Sequence, residues 1–262
     1  MSKGFSFASV ILSYFLVGGG MFTATLVAGQ LQLGGEYAGY AILALGAFVG
    51  GFIAARASHG STIVEPAIGA IAVVATIVGL AAATPIGKLL WAAAQDQTTR
   101  FVGSVGISGV VGALAGAAIS EKLFGESTRS SIPWLLYTAL SAFGASLLAT
   151  LFASLLFMSG KTDQLDAGAV VLIGLAAGCL LAGLAVGASA RARPLIAALL
   201  GGGLGVAGFF VLIARATPQD ADATTGMIVL AVGGAIVTLI GTAIGWAAVG
   251  RRQAAAVGPT TR

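Results

Sequence analysis

The sequence predicts an all-α polytopic membrane protein, because its composition excludes a soluble domain and its patterning excludes a membrane β-barrel. Of its 262 residues, 58% are hydrophobic and only 8% are charged, against about 25% charged residues in a soluble domain. Apolar runs of about 18 residues or more, the length a helix needs to cross a bilayer, fill most of the chain. The two-residue alternation of membrane β-strands is absent. Each run is therefore expected to form a helix, which satisfies its backbone hydrogen bonds within the segment.

Eight transmembrane helices are predicted, and they fall into two tandem four-helix repeats. The second half of the chain repeats landmarks of the first half in the same order: residues 65–66 match 193–194, and residues 83–85 match 216–218. Because each unit contains an even number of spans, both units enter the membrane from the same side, so the repeat is parallel. The predicted spans are Phe7–Gly29, Tyr37–Arg56, Pro66–Ala83, Phe101–Ser120, Pro133–Met158, Ala167–Ala190, Pro194–Ala214 and Met227–Gly250.

The repeat divides the chain into a first membrane repeat at residues 1–125, a second at residues 126–252 and a disordered cytoplasmic tail at residues 253–262. Lys and Arg in short loops set the orientation, because they are enriched on the cytoplasmic side. Most of the 13 Lys and Arg residues fall on the side that holds both termini. We therefore expect a multi-pass protein of the bacterial inner membrane with both termini in the cytoplasm. The cations on that side are Lys3, Arg56, Lys122, Arg129, Arg191, Arg193, Arg251, Arg252 and Arg262.

Three further segments have predicted positions relative to the bilayer. The first and fifth spans carry most of the Phe and Leu residues, and they are expected to face lipid or a partner subunit. Residues 1–30 have the features of a signal peptide, but their counterpart in the second repeat is internal, so the first span is expected to be retained. Residues 86–100, with Leu89, Leu90 and Trp91, are expected to lie in the outer interface.

Glycine is the dominant pattern within the spans. Small residues four apart let helix backbones approach closely, so that dispersion stabilises the contact. A ligand gap or a sliding interface is the alternative use of such a face, and close packing is preferred. The fourth span carries one continuous stripe of candidate packing residues, which are Gly103, Gly106, Gly109, Gly112 and Gly116. Pairs spaced four residues apart also occur at Gly46/Gly50, Gly174/Gly178, Gly183/Gly187, Gly201/Gly205 and Gly241/Gly245.

The turn between the second and third spans holds the one polar constellation, made of Arg56, His59 and Glu65. One hypothesis is a cytoplasmic contact site, either pH-sensitive through His59 or directed at anionic lipids. The preferred alternative is a solvated turn in which Glu65 caps the third span, because the residue before Pro66 is pushed out of the α region. A capping box of Thr62 with Glu65 is the rival explanation for this pattern.

Catalytic and cofactor chemistry have little support in the sequence. The segment Gly106-Ile107-Ser108-Gly109 resembles the GxSG nucleophile motif of rhomboid intramembrane proteases. A serine nucleophile needs a base within hydrogen-bond reach. The only histidine, His59, lies about 20 Å from Ser108 across a core about 30 Å thick. Cys179 is a lone cysteine without a metal-ligand spacing. We therefore expect no enzyme activity, no metal, no cofactor and no nucleic-acid partner.

The segment Gly50-Gly51-Phe52-Ile53-Ala54-Ala55-Arg56 resembles a GGxxAxR signature of small uncharacterised four-span bacterial membrane proteins. The resemblance implies two such units fused in one chain, and it implies a fold without an activity. Three functions are weighed. The first is a non-enzymatic structural or partner-binding membrane subunit, which contacts the lipid bilayer and another membrane protein or a second copy through glycine-rich faces. The second is a passive channel or carrier for a small neutral solute, and the third, disfavoured, is an intramembrane enzyme.

Overall fold

The computed structural model describes residues 6–33, 35–57, 63–93, 95–124, 134–158, 167–189, 195–214 and 221–257. Every regular element in these ranges is an α-helix, so the all-α fold class is confirmed. The helices are α1 Phe7–Gln30, α2 Glu36–Ala57, α3 Val64–Ala83, α4 Pro85–Ala93, α5 Gln95–Phe124, α6 Trp134–Met158, α7 Ala167–Ser189, α8 Leu195–Ala214 and α9 Ala221–Val257.

Seven of these helices are long and apolar enough to cross a membrane: α1, α2 and α5 to α9. The helix α3 holds a shorter apolar stretch, Val64–Gly79. The nine-residue helix α4 is too short to span about 30 Å of hydrocarbon.

Local sequence explains several helix ends. The hydroxyl of Ser6 accepts a hydrogen bond from the N–H of Ser9 at 3.4 Å and caps α1, which satisfies one of the donors left free in a first turn. At the start of α4 the N–H of Lys88 donates to the carbonyl of Thr84 at 3.0 Å. Pro85 is the first residue of α4, a position where its missing N–H costs no helical hydrogen bond.

Three helices extend beyond their predicted limits. The helix α3 begins at Val64, so Glu65 lies inside its first turn and is not the cap before it. The helix α5 begins at Gln95, so the predicted interfacial segment 86–100 divides into α4 and the first turns of α5. The helix α9 continues to Val257, so the first residues of the tail predicted as disordered are helical.

The helices pack as two groups of four. In the first bundle, defined as α1, α2, α3 and α5, helix α1 packs on α2 and α3, and α5 packs on the same two helices. In the second bundle, defined as α6 to α9, helix α6 packs on α7 and α8, and α9 packs on the same two helices. The bundles meet mainly where α1 packs on α6 and α7. The helix order is therefore the same in both groups.

The helices α1 and α6 form the centre of the molecule. They are the most buried of the seven candidate spans, so the prediction that the first and fifth spans face lipid or a partner subunit is wrong. A Cβ placed on Gly19 of α1 would lie 2.8 Å from the Cα of Gly144 on α6, which shows how closely the backbones cross. Phe15 and Leu148 pack beside this crossing. Their aromatic and aliphatic side chains therefore join the two bundles.

Candidate functional site

The polar turn between α2 and α3 is buried where the structure describes it. Arg56, in the last turn of α2, is 7% exposed, and Glu65, in the first turn of α3, is 5% exposed. The Arg56 guanidinium lies over the Phe124 ring at 4.8 Å from its centroid. The same ring meets Phe52 edge-on at 6.0 Å. The preferred prediction of a solvated turn is therefore wrong for Arg56 and Glu65, and His59 lies outside the described residues.

The positions of these two charges are favourable for the helices that carry them. A cation at a helix C-terminus and an anion at a helix N-terminus each interact well with the helix dipole. Arg56 ends α2 and Glu65 begins α3, so each charge complements its own helix. Among the described residues no three His, Cys, Asp or Glu side chains come together as a metal site would require. In the part of this turn that the structure describes, an arginine and a glutamate are both buried at one end of the first bundle.

The five candidate packing glycines of α5 have unequal surroundings. Gly112 lies against the carbonyl oxygen of Ala44, and Gly116 lies against that of Phe48, both on α2. A Cβ on Gly109 would meet the Met21 side chain at 3.2 Å, and one on Gly106 would lie 3.5 Å from Val74. A Cβ on Gly103 would meet nothing within 4 Å. The close contact is therefore confined to the C-terminal part of the stripe.

The other glycine pairs also face helices of the same chain. Gly46 and Gly50 of α2 lie against the backbone of α1, and Gly201 and Gly205 of α8 lie against that of α6. The helices α7 and α9 interlock through glycines on both sides: Gly183, Gly187, Gly241 and Gly245. The remaining pair, Gly174 and Gly178, lies against Ala149 and Ala145 of α6. All of these pairs are thus used in packing within the chain.

A cleft opens at the end of the first bundle opposite Arg56, and the sequence analysis did not predict it. We name it the outer cleft, because the topology predicted from the Lys and Arg residues would put it on the outer side. It has a volume of about 1230 Å³ and lies between the C-terminal part of α1 and the N-terminal parts of α2 and α5. Its mouth carries Tyr37, Gln97 and Arg100, and its inner wall is largely apolar. The spacing of Gln97, Arg100 and Ser104 along α5 places them on one helix face. That row was the one signal for the cleft in the sequence.

The outer cleft ends at a closed apolar core. Met21, Leu43, Ile77 and Val105 line the cleft, and the same side chains pack against the core of the first bundle. That core consists of side chains at most 1% exposed, namely Val17, Met21, Ala47, Ala70, Val73 and Ala113. Within the part of the chain that the structure describes, the cleft therefore does not continue through this core.

A smaller groove of about 560 Å³ runs along α1 and α2 beside α6. Its lining includes Gly19, Gly20, Gly46 and Gly50, together with apolar side chains of α1, α2 and α6. Thr23, the hydroxyl residue in the groove, donates to the carbonyl of Gly19 at 2.6 Å. The groove therefore presents an almost wholly apolar wall.

The interior of the second bundle contains buried hydroxyls and the one thiol of the chain. The Cys179 thiol of α7 lies beside the hydroxyls of Thr238 on α9 and Ser146 on α6, and one of these oxygens can accept its S–H. Both hydroxyls also donate to carbonyls of their own helices, Thr238 to Gly234 at 2.7 Å and Ser146 to Ala142 at 2.8 Å. These groups satisfy one another, and they include no acid or base able to activate a nucleophile.

The helices and sites together define the class of the molecule: it is an all-helical, multi-pass membrane protein. Comparison of the chain with protein-family models, with curated proteins and with solved structures finds no match. Its function is therefore argued from its own geometry.

Proposed function

We propose that the protein is a non-enzymatic, structural or partner-binding subunit of the bacterial inner membrane, built from two fused tandem four-helix units with both termini in the cytoplasm. The observation that carries this proposal is direct backbone contact between helices in both bundles. Gly116 on Phe48 and Gly245 on Leu184 are such contacts, one in each bundle. Close contacts of this kind favour a rigid body over one whose helices slide.

The proposal adds α3 to the seven candidate spans, which gives eight transmembrane helices. It contains 20 residues, which at 1.5 Å per residue gives about 30 Å, the thickness of the hydrocarbon core. It packs between α1 and α5 as α8 packs between α6 and α9, and α8 also has 20 residues. A crossing α3 makes each bundle a complete four-span unit. This arrangement supports the duplication inferred from the proline-bearing landmarks of the sequence.

The structural role and a solute pathway are separated by a flux measurement. Purified full-length protein is reconstituted in liposomes, and swelling in glycerol and in urea is followed by stopped-flow light scattering. Empty liposomes are the negative control for the swelling rate, and liposomes with an established solute channel are the positive control. We expect rates equal to those of empty liposomes, because the apolar core of the first bundle closes the outer cleft. Solute-specific acceleration would overturn the structural role.

The second candidate function is a passive carrier for a small neutral solute, and the outer cleft is the observation that favours it. A carrier exposes its binding site to each side of the membrane in turn. The buried core of the first bundle, which forms the floor of the outer cleft, would therefore have to open towards the Arg56 end. Replacing Ala70, which is 0% exposed at that floor, with Phe would block such an opening. A carrier therefore predicts solute flux that Ala70→Phe abolishes, whereas the structural subunit predicts no flux in either protein.

A further inference from the structure

The outer cleft has a polar mouth and an apolar interior, and this gradient runs along each helix that forms it. On α5 the lining changes from Gln97 and Arg100 at the mouth to Val105 inside. On α2 it changes from Tyr37 at the mouth to Leu43 inside. A ligand that matches both ends has a polar head and an apolar tail.

The inner wall offers few free hydrogen-bonding groups. Thr25 lines the cleft, but its hydroxyl donates to the carbonyl of Met21 at 2.9 Å. Its neighbours there are Met21, Phe22, Ile77 and Leu151. A sugar or another polyhydroxylated solute would lose its hydration without gaining partners, which is costly. A hydrocarbon chain has no polar groups to dehydrate, so it does not incur this cost.

One positively charged side chain lines the mouth. Arg100 is the one charged side chain among the described residues that line the cleft. Asp96 lies one turn earlier on α5 and is not part of the lining. A guanidinium presents a planar fork of donors that suits a phosphate or a carboxylate. The charge therefore favours an anionic head over a neutral or cationic one.

The depth of the cleft matches one leaflet of a membrane. From Gln97 to Val105 the rise along α5 is about 12 Å, and one leaflet contributes about 15 Å of hydrocarbon. A volume of about 1230 Å³ exceeds the 300–1,000 Å³ typical of small-molecule pockets. The space is thus much larger than a solute of a few atoms would need.

We propose that the outer cleft binds an anionic phospholipid of the adjacent leaflet, with its phosphate at Arg100 and an acyl chain along Met21, Leu43 and Val105. Lipid headgroup and free phosphate share the same chemistry at Arg100, but the apolar interior is specific for the lipid. The structural subunit accommodates this lipid, whereas a solute carrier would use the same cleft for its solute. Lipid occupancy is measured by thiol protection and solute transport by flux, so the two results are read separately.

A thiol placed inside the cleft reports on its occupancy directly. Ser104 lines the cleft, and Ser104→Cys in a Cys179→Ala background puts the single thiol there. The full-length protein in detergent is labelled with a small neutral methanethiosulfonate, with and without added lipid. The readout is the ratio of the two labelling rates, so that changes in intrinsic thiol reactivity cancel. Phosphatidylglycerol, phosphatidylcholine of the same acyl chains, and free glycerol phosphate are the probes.

Phosphatidylglycerol is expected to protect the thiol at about fivefold lower concentration than phosphatidylcholine, since about 1 kcal/mol per basic residue corresponds to that ratio. Free glycerol phosphate is expected to give no protection. Arg100→Gln should remove the difference between the two lipids. Lys88→Gln is the matched control, because Lys88 is exposed on α4 and does not line the cleft. Equal protection by both lipids, or an unchanged preference in Arg100→Gln, would overturn the proposal.

A substitution that fills the cleft tests whether the acyl chain of the lipid occupies it. Gly39 lines the cleft, and a Cβ there would meet nothing within 4 Å, so Gly39→Leu adds a side chain without a clash. We expect it to weaken protection by both lipids about tenfold or more, whereas Gly103→Leu, on open space outside the cleft lining, should leave it unchanged. Undiminished protection in Gly39→Leu would overturn the proposal. If that variant does not fold, the lipid preference and its loss in Arg100→Gln still decide the outcome.

Discussion

Arg56 shows how a single buried charge connects two helices of the first bundle. It lies 7% exposed at the end of α2, and its guanidinium covers the Phe124 ring at the end of α5. An arginine over an aromatic face is stabilised by the ring quadrupole, by about 0.5–1 kcal/mol at exposed sites and about 2 kcal/mol when the pair is desolvated. This pair lies between these limits, because Arg56 is buried and the Phe124 ring is 58% exposed. The end of the first bundle is therefore held by a specific contact and not by a solvated turn.

Replacing Arg56 should consequently destabilise the protein. We expect Arg56→Ala to lower the free energy of unfolding in detergent by about 1–3 kcal/mol, because it removes the ring contact and leaves a gap between α2 and α5. The measurement is thermal or denaturant unfolding of purified protein. Lys122→Ala, at an exposed cation in the last turn of α5, is the control and should change stability little. Equal stability of both variants would contradict the buried role of Arg56.

Two hydroxyls inside the second bundle provide a second test at this scale. Ser141 Oγ and Thr242 Oγ1 are two of the buried side-chain oxygens that have no hydrogen-bond partner among the described residues. Removing such a group while keeping its shape is nearly neutral or stabilising. We therefore expect Thr242→Val to unfold at an equal or higher temperature than the unchanged protein.

The matched variant is Thr238→Val, because the Thr238 hydroxyl interacts with both Gly234 and the Cys179 thiol. It should cost about 0.5–1 kcal/mol, the scale of hydrogen bonds between membrane helices. A larger loss of stability from Thr242→Val than from Thr238→Val would contradict the interpretation that the Thr242 hydroxyl lacks a hydrogen-bond partner.

The glycine stripe of α5 gives a prediction at the scale of the element. A Cβ on Gly116 would be forced against the α2 backbone at Phe48 and Phe52, whereas a Cβ on Gly103 would enter open space. We expect Gly116→Ala to cost about 1–3 kcal/mol in unfolding free energy, as overpacking does. Gly103→Ala should be neutral or stabilising by up to about 1 kcal/mol, because alanine favours a helix over glycine.

Both changes add one methyl group to the same helix, so the difference between them isolates the contact with α2. It is measured by parallel unfolding of the two variants in one detergent. The same contrast is expected on α9, where Gly245 lies against the Leu184 backbone and Gly233 has nothing within 4 Å. If alanine had similar effects on stability at Gly116 and Gly103, Gly116 would not be in direct contact with the α2 backbone.

At the scale of the whole molecule, the number of crossings decides the position of the C-terminus. Eight spans return the chain to its starting side, whereas seven leave the C-terminus on the other side of the membrane. Reporter fusions after residue 262 and after residue 162 are therefore expected to report cytoplasm and outside, respectively. A reporter at residue 262 that lies outside would show that α3 does not cross the membrane. That result would contradict the proposal of two four-span units.

Several properties of this protein follow from the sequence alone. Long apolar runs with few charges determine that the chain is helical and belongs in a membrane, because hydrocarbon allows no unsatisfied backbone. The same runs located both ends of α1 and α6 to within one residue. In contrast, α5 and α9 extend four to seven residues beyond their predicted ends. This success has a physical reason: the length of an apolar run and the need for internal hydrogen bonds depend on local sequence only.

The tertiary structure decided which helix faces meet, and this could not be read from the residue types. Lipid and protein interior are equally apolar, so the Phe and Leu residues of α1 and α6 did not indicate that these helices lie at the centre. Gly103 and Gly116 look alike in the sequence, but only Gly116 meets another backbone. Arg56 contacts Phe124, a residue far away in the sequence, and the outer cleft exists because α1, α2 and α5 separate at one end. Each of these features depends on contacts between segments far apart in the chain.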